Sequence, residues 1–278
     1  MRVTVLQMNP TQDKVQNIAQ ARSLIEAAVL SDRPDLIGLP EVWSCLGGTN
    51  SEKFAAAETL PESDNEGIGG PAYEFLRESA RSHHLYIHGG SIIEKSEGRL
   101  FNTTIVFDPE GRESARYRKI HLVDVHAPDD QNFEESATFG AGNQIVNYCA
   151  AGINVGCAIC YDLRFPELFL ALRRAGADLI FLPSAFTMQT GRDHWETLIR
   201  ARAIDNQCWL AAPAAWGKYL DGNRNARFTY GRSLVCDPWG VIAARASDGI
   251  GWVTARIDLE LTRKIRRDMP VLDHRRLA

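Results

Sequence analysis

Two stretches far apart in the chain read almost alike: Pro34-Asp35-Leu36-Ile37-Gly38-Leu39-Pro40 and Ala177-Asp178-Leu179-Ile180-Phe181-Leu182-Pro183. Each follows a helix-like segment and is a continuous apolar run stopped by proline. A strand with one wet face would alternate apolar and polar residues, so these runs suit strands buried on both faces. A second echo follows in the same order. Thr103-Thr104-Ile105-Val106-Phe107 runs into Asp108-Pro109-Glu110-Gly111, and Ser233-Leu234-Val235-Cys236 runs into Asp237-Pro238-Trp239-Gly240. Both read as strand, turn, strand. Common turn chemistry accounts for either pair alone, but two echoes in one order point to two similar halves.

Between these markers strands and helices alternate. Helical patterns cover 14–30, 72–83, 166–175 and 195–207, and strand patterns cover 3–8, 85–93, 153–159, 208–214 and 251–257. This mixture predicts sheets packed face to face with helices outside. A chain of 278 residues is near the upper size for one core, and no linker composition divides it, so a single domain over 1–278 is expected. The stretches 62–71, 127–132 and 221–225 are candidate surface or lid loops. Residues 256–267 read as a charged, solvated helix and 272–278 as a tail.

With 31 basic against 35 acidic residues, the chain has no positive reservoir to hold a phosphate backbone, and nucleic acid is not an expected partner. No apolar run approaches the roughly 20 residues needed to span a bilayer. Residues 1–8 alternate like a strand and lack the core of a secretion signal, so the expected location is the cytoplasm. The six cysteines are too scattered for a disulfide-stapled module.

The segment most informative for chemistry is Ile153-Asn154-Val155-Gly156-Cys157-Ala158-Ile159-Cys160-Tyr161-Asp162-Leu163-Arg164-Phe165-Pro166-Glu167. An apolar strand stops at Cys160, and Pro166 and Glu167 suit the first turn of a helix. A thiol in that turn is expected to be exposed at the carboxyl end of the sheet, with nearby N–H groups lowering its pKa from about 8.5. A structural cysteine is the alternative. Cys157 and Cys160 also form Cys-x-x-Cys, but side chains three apart in a strand face opposite ways, and no second pair completes a zinc site.

Glu41 ends the first buried run, where a solvated loop glutamate is the plain alternative. Lys119 lies in a stretch whose period-two alternation puts Tyr117, Lys119 and His121 on one face, with Ile120 and Leu122 on the other. An ammonium there could stabilise an oxyanion or be one more exposed base.

Taken together, Leu39-Pro40-Glu41, Arg118-Lys119-Ile120-His121-Leu122 and Cys160-Tyr161-Asp162-Leu163-Arg164-Phe165-Pro166-Glu167 resemble the Glu, Lys, Cys signature of the nitrilase superfamily. The resemblance spans nearly the whole chain. It takes in Phe133-Glu134-Glu135-Ser136, Pro183-Ser184-Ala185-Phe186-Thr187, His194-Trp195-Glu196, residues 200–207 and Asp237-Pro238-Trp239-Gly240. Within the superfamily the chain is most similar to the branch of ω-amidases and deaminated glutathione amidases. It departs from common patterns at Gly231-Arg232-Ser233 and Asp193-His194-Trp195-Glu196, which bears on substrate more than on reaction type.

The resemblance implies an α/β fold: an αββα sandwich that pairs with a second copy into a four-layer homodimer or a higher homo-oligomer. It implies Cys160 as nucleophile, Glu41 as general base and acid, and Lys119 with the backbone N–H of Tyr161 as oxyanion donors. Glu135, rather than Glu134, is implied to orient Lys119. Arg164 resembles the arginine that clamps a substrate carboxylate, its alternative being a structural pair with Asp162 or Glu167. Phe186 and Thr187 are weaker pocket candidates. The expected activity is release of ammonia from a small carboxylate-bearing amide through a thioester, with no cofactor or metal. Nitrile or N-carbamoyl hydrolysis would use the same residues. A thiol redox protein and a non-catalytic partner protein are the readings from other classes.

Overall fold

The computed structural model describes residues 1–62, 67–126 and 132–276. The first half runs β1 (Arg2–Met8), α1 (Lys14–Asp32), β2 (Leu36–Gly38), α2 (Asn50–Ala56), α3 (Pro71–His83), β3 (Tyr86–His88), β4 (Ile92–Ser96), β5 (Arg99–Phe107), β6 (Glu113–Arg118), β7 (Asp124–His126), β8 (Asn132–Glu134) and β9 (Phe139–Gly140). The second runs β10 (Asn147–Ala150), β11 (Ile153–Cys157), α4 (Pro166–Arg174), β12 (Leu179–Phe181), α5 (Met188–Thr190), α6 (Glu196–Asn206), β13 (Trp209–Ala212), β14 (Ala214–Leu220), β15 (Ala226–Tyr230), β16 (Leu234–Cys236), β17 (Ile242–Arg245), β18 (Gly251–Arg256) and α7 (Leu259–Asp268). Parts of two expected loops, 63–66 and 127–131, and the last two residues of the expected tail lie outside the described residues.

The two halves repeat one topology. In the first sheet β1, β2 and β3 are parallel, followed by antiparallel β5 and β6. In the second, β11, β12 and β13 are parallel, followed by antiparallel β16 and β17. The echoed turns match bond for bond. Asp108 Oδ1 accepts from the N–H groups of Glu110 and Arg112, and Asp237 Oδ1 accepts from those of Trp239 and Val241. Gly111 and Gly240 close the turns at φ of +76° and +86°, a region glycine enters without a Cβ penalty. Each hairpin also carries a register shift in the strand before the turn.

Strand alternation builds the layers. Val3, Val5, Leu36 and Val106 point into the core shared with Val155, Leu179 and Phe181 of the second sheet. Leu6, Ile37, Ile105 and Phe107 point outward, into a cluster with Ala21, Ile25 and Leu76 of α1 and α3. Helices α4 and α6 cover the second sheet. The sheets approach closely at Gly38, where an added Cβ would stand 2.3 Å from the Phe181 ring. The architecture is the αββα sandwich of two similar halves.

Three elements differ from the sequence reading. The strand expected over 85–93 breaks into β3 and β4 at Gly89-Gly90, because the chain must turn against Pro40: a Cβ on Gly90 would lie 2.1 Å from the Pro40 carbonyl oxygen. The strand expected over 208–214 changes sheets at Pro213. Its first part is β13 in the second sheet, and β14 pairs with β1 in the first. The carboxyl-terminal helix, expected to be solvated, docks by one face: Thr262 and Ile265 are buried, and Arg266 pairs with Asp178 at 2.7 Å. No described helix is long and apolar enough to cross a membrane.

Candidate active site

Glu41 arrives just past β2. Leu39 N–H still bonds to the His88 carbonyl, Pro40 stops the strand, and the Trp43 indole donates to Gly89 O at 2.7 Å to fix the turn. The carboxylate is therefore buried, not a solvated loop group. Lys119 follows β6 directly, and its N–H donates to Asn102 O at 2.9 Å. Its side chain is 1% exposed, which rules out a surface base.

Cys160 stands after β11 as the first residue of the 3₁₀ turn Cys160–Arg164, at φ +46°. A non-glycine residue in the left-handed region costs of order 1–3 kcal/mol, and such positions cluster at functional sites. The turn is held from the second half, since Cys160 N–H donates to Pro183 O at 2.9 Å. The second echoed proline run thus braces the thiol-bearing turn. Cys157 is the last residue of β11 and lies in the inter-sheet core, and both cysteines are free.

The three side chains from distant segments converge. Lys119 Nζ donates to Glu41 Oε1 at 2.9 Å and to Glu135 Oε2 and Oε1 at 2.9 and 3.1 Å. Glu135 opens a 3₁₀ turn after β8 and is anchored by accepting from Val123 N–H at 2.8 Å, whereas Glu134 is exposed. Asn102, unflagged by the sequence reading, donates through Nδ2 to Glu41 at 2.9 Å and to Glu135 at 3.3 Å. Its signal is an amide in the interior of the otherwise largely apolar strand β5, where no turn or cap explains it.

Burial opposes charge on Lys119, but the Glu41 and Glu135 carboxylates and the nearby thiol outweigh it and hold the ammonium's pKa above its ordinary value. The thiol contradicts the expectation of a lowered pKa. Burial, and then the Glu41 charge beside it, push Cys160 well above its ordinary value, and Lys119 and the Ala185 N–H only partly offset them. Cys160 is also buried rather than exposed. A buried thiolate next to a carboxylate costs more than local N–H donors return. At rest Cys160 is therefore a protonated thiol beside the Glu41 carboxylate.

Tyr161 N–H is one of the first donors of the 3₁₀ turn, which have no partner within the turn itself. Arg164 pairs with neither Asp162 nor Glu167. Its guanidinium lies 5.6 Å from the Tyr161 ring centroid and 5.5 Å from that of Phe186, with His194 Nδ1 at 3.4 Å. Phe186 also packs on Trp195 at 5.0 Å between centroids. Thr187 Oγ1 instead caps α5, accepting from Thr190 N–H and meeting its hydroxyl at 2.9 Å. Among the described residues no cluster of three or more His, Cys, Asp or Glu side chains could hold a metal ion.

A buried carboxylate, a fixed ammonium and a thiol brought together are chemically able to support nucleophilic attack on a polarised carbon and proton transfer to a leaving group. Comparison with known proteins agrees. A deaminated glutathione amidase from Synechocystis is 38% identical over 275 residues, 97% of this chain and 96% of that protein. Human omega-amidase NIT2 is 35% identical, covering 99% and 95%. The crystal structure of Saccharomyces cerevisiae Nit3, a member of branch 10 of the nitrilase superfamily, superposes with a TM-score of 0.86 at 29% identity, over 100% of this chain and 97% of that one. Residues 2–267 match the carbon-nitrogen hydrolase family, and the chain belongs to that family within the nitrilase superfamily, as a hydrolase of carbon-nitrogen bonds other than peptide bonds.

Proposed function

We propose that this protein hydrolyses the terminal amide of a small carboxylate-bearing substrate, with Cys160 as nucleophile. The observation that carries the reading is the Glu41–Lys119–Glu135 cluster beside the Cys160 thiol. Glu41 takes the thiol proton while Sγ bonds to the amide carbon, and the oxygen's new charge falls to Lys119 Nζ and Tyr161 N–H. Preorganised donors of this kind are typically worth about 3 kcal/mol each in the transition state. Two carboxylates share one ammonium, so a proton on Glu41 leaves Glu135 and Lys119 as a balanced pair while the negative charge moves to the oxygen of the intermediate. Glu41 then protonates the departing nitrogen, and ammonia leaves a thioester on Cys160. The same carboxylate deprotonates a water, which attacks the thioester and releases the acid and the thiol.

Arg164 is the proposed partner of the substrate carboxylate. It is the arginine of the nucleophile's own turn and has no carboxylate partner among the described residues. The names of the relatives support an amide over a nitrile or an N-carbamoyl group, both open to the same side chains. The chain is proposed to act as one cytoplasmic domain in a homodimer. Ammonia release from ω-amides, nitriles and N-carbamoyl amino acids tests the assignment. Turnover is expected for the carboxylate-bearing amides, and silence on every amide with turnover of a nitrile would reject it.

A further inference from the structure

Asp162, two residues past Cys160, is completely buried and accepts four hydrogen bonds. Oδ2 takes the Tyr117 hydroxyl at 2.7 Å and the Ile159 N–H at 2.8 Å, and Oδ1 takes the His121 N–H at 3.1 Å and meets His121 Nδ1 at 2.6 Å. The His121 ring lies flat on Phe165, 3.8 Å between centroids and 6° between planes. Tyr117 and His121 flank Lys119 in sequence, two positions away on either side, while Ile159 and Phe165 bracket the turn that carries Cys160.

We infer that Asp162, with His121 and Tyr117, is a positioning device that fixes the distance between the Lys119 ammonium and the Cys160 sulfur. The two groups come from different halves of the chain and different sheets. Among the described residues, Asp162 is the side chain whose carboxylate bonds both segments that bear them. An oxyanion donor displaced by about 1 Å loses much of its effect, since such stabilisation depends on geometry set before the reaction. Loosening this link should therefore lower turnover more than substrate binding. The ring nitrogen of His121 is the part of the device that can be removed without emptying the core, because its side chain is about a quarter exposed.

The inference rests on the proposed roles of Lys119 and Cys160, and the test separates the two. Steady-state kcat and KM for ammonia release are measured for wild type, His121→Leu, His121→Asn, Tyr117→Phe and Cys160→Ala, with a thermal melt for each. An Asn amide nitrogen stands near the place of the His Nδ1 and restores the donor. The expected result is a kcat drop of about tenfold or more in His121→Leu and Tyr117→Phe at nearly unchanged KM, a value in His121→Asn close to wild type, and melts of all variants above the assay temperature. If Cys160→Ala is inactive while His121→Leu keeps wild-type kcat, or if His121→Asn falls as far as His121→Leu, the positioning role is overturned and the site assignment stands. If Cys160→Ala still turns over, both are overturned.

Discussion

Lys119 and Glu135 are joined through both carboxylate oxygens, with Nζ 2.9 Å from Oε2 and 3.1 Å from Oε1. Lys119 is buried and Glu135 partly so, and Glu135 is itself held by Val123 N–H. Replacing Glu135 with Gln keeps the shape but removes the charge that holds the ammonium in place. Hydrogen bonds to charged groups are worth about 1.5–3 kcal/mol, so kcat should fall roughly 10- to 100-fold. Steady-state kinetics check this, and an unchanged kcat would detach Glu135 from the site.

Arg164 should act on binding rather than on chemistry. Arg164→Met is expected to raise KM for a carboxylate-bearing amide by roughly 10- to 100-fold, the range of one lost charge-assisted contact. An uncharged amide of similar size should be affected little. Equal losses on both substrates would instead point to a packing role against Tyr161 and Phe186.

Cys157 is fully buried in the inter-sheet core, where burial pushes its thiol well above the ordinary range. Cys157→Ala removes one sulfur atom from a packed interior, at a cost of about 1 kcal/mol. Activity should stay within about twofold of wild type while the melting temperature drops a few degrees. Loss of activity with an intact fold would revive the Cys-x-x-Cys redox reading.

The locations of these groups were legible in the chain to different degrees. Glu41 and Cys160 each follow an apolar strand, and the echoed Asp-Pro turns announced the two halves because the same side-chain oxygen organises both. The crossing at Pro213 was hidden, since sheet membership depends on pairing with β1, two hundred residues away in the chain and silent in local pattern. The acidity of Cys160 was misjudged for a related reason. Local turn geometry favours a lowered pKa, but burial and the carboxylate of distant Glu41 decide it. Asn102 carries no local signal of its role, and Asp162 reads as a partner for Arg164 but bonds Tyr117, His121 and Ile159 instead, because a polar residue in a strand or turn acquires meaning only from what folds against it.

His88 sits in β3 with its ring stacked on Phe181 at 4.5 Å, and neither ring nitrogen has a hydrogen-bond partner among the described residues. Burial pushes its pKa down from 6.5 to about 3. Below pH 6.5 the unfolded chain therefore binds a proton that the folded chain refuses, and stability falls as the pH drops toward 3. At about 1.4 kcal/mol per unit, a shift from pH 7 to pH 4.5 should cost roughly 3 kcal/mol through this residue. Urea midpoints for wild type and His88→Phe at those two pH values check it, the variant losing less. Parallel losses would remove His88 from the account.

The most direct test of the central claim is intact-mass and peptide mass spectrometry of the enzyme quenched during turnover of a carboxylate-bearing amide. An adduct of substrate mass less ammonia should appear on the peptide that contains Cys160 and on no other. It should be absent in Cys160→Ala, which neither turns over nor unfolds. An adduct on a different residue, or undiminished ammonia release by Cys160→Ala, would contradict it.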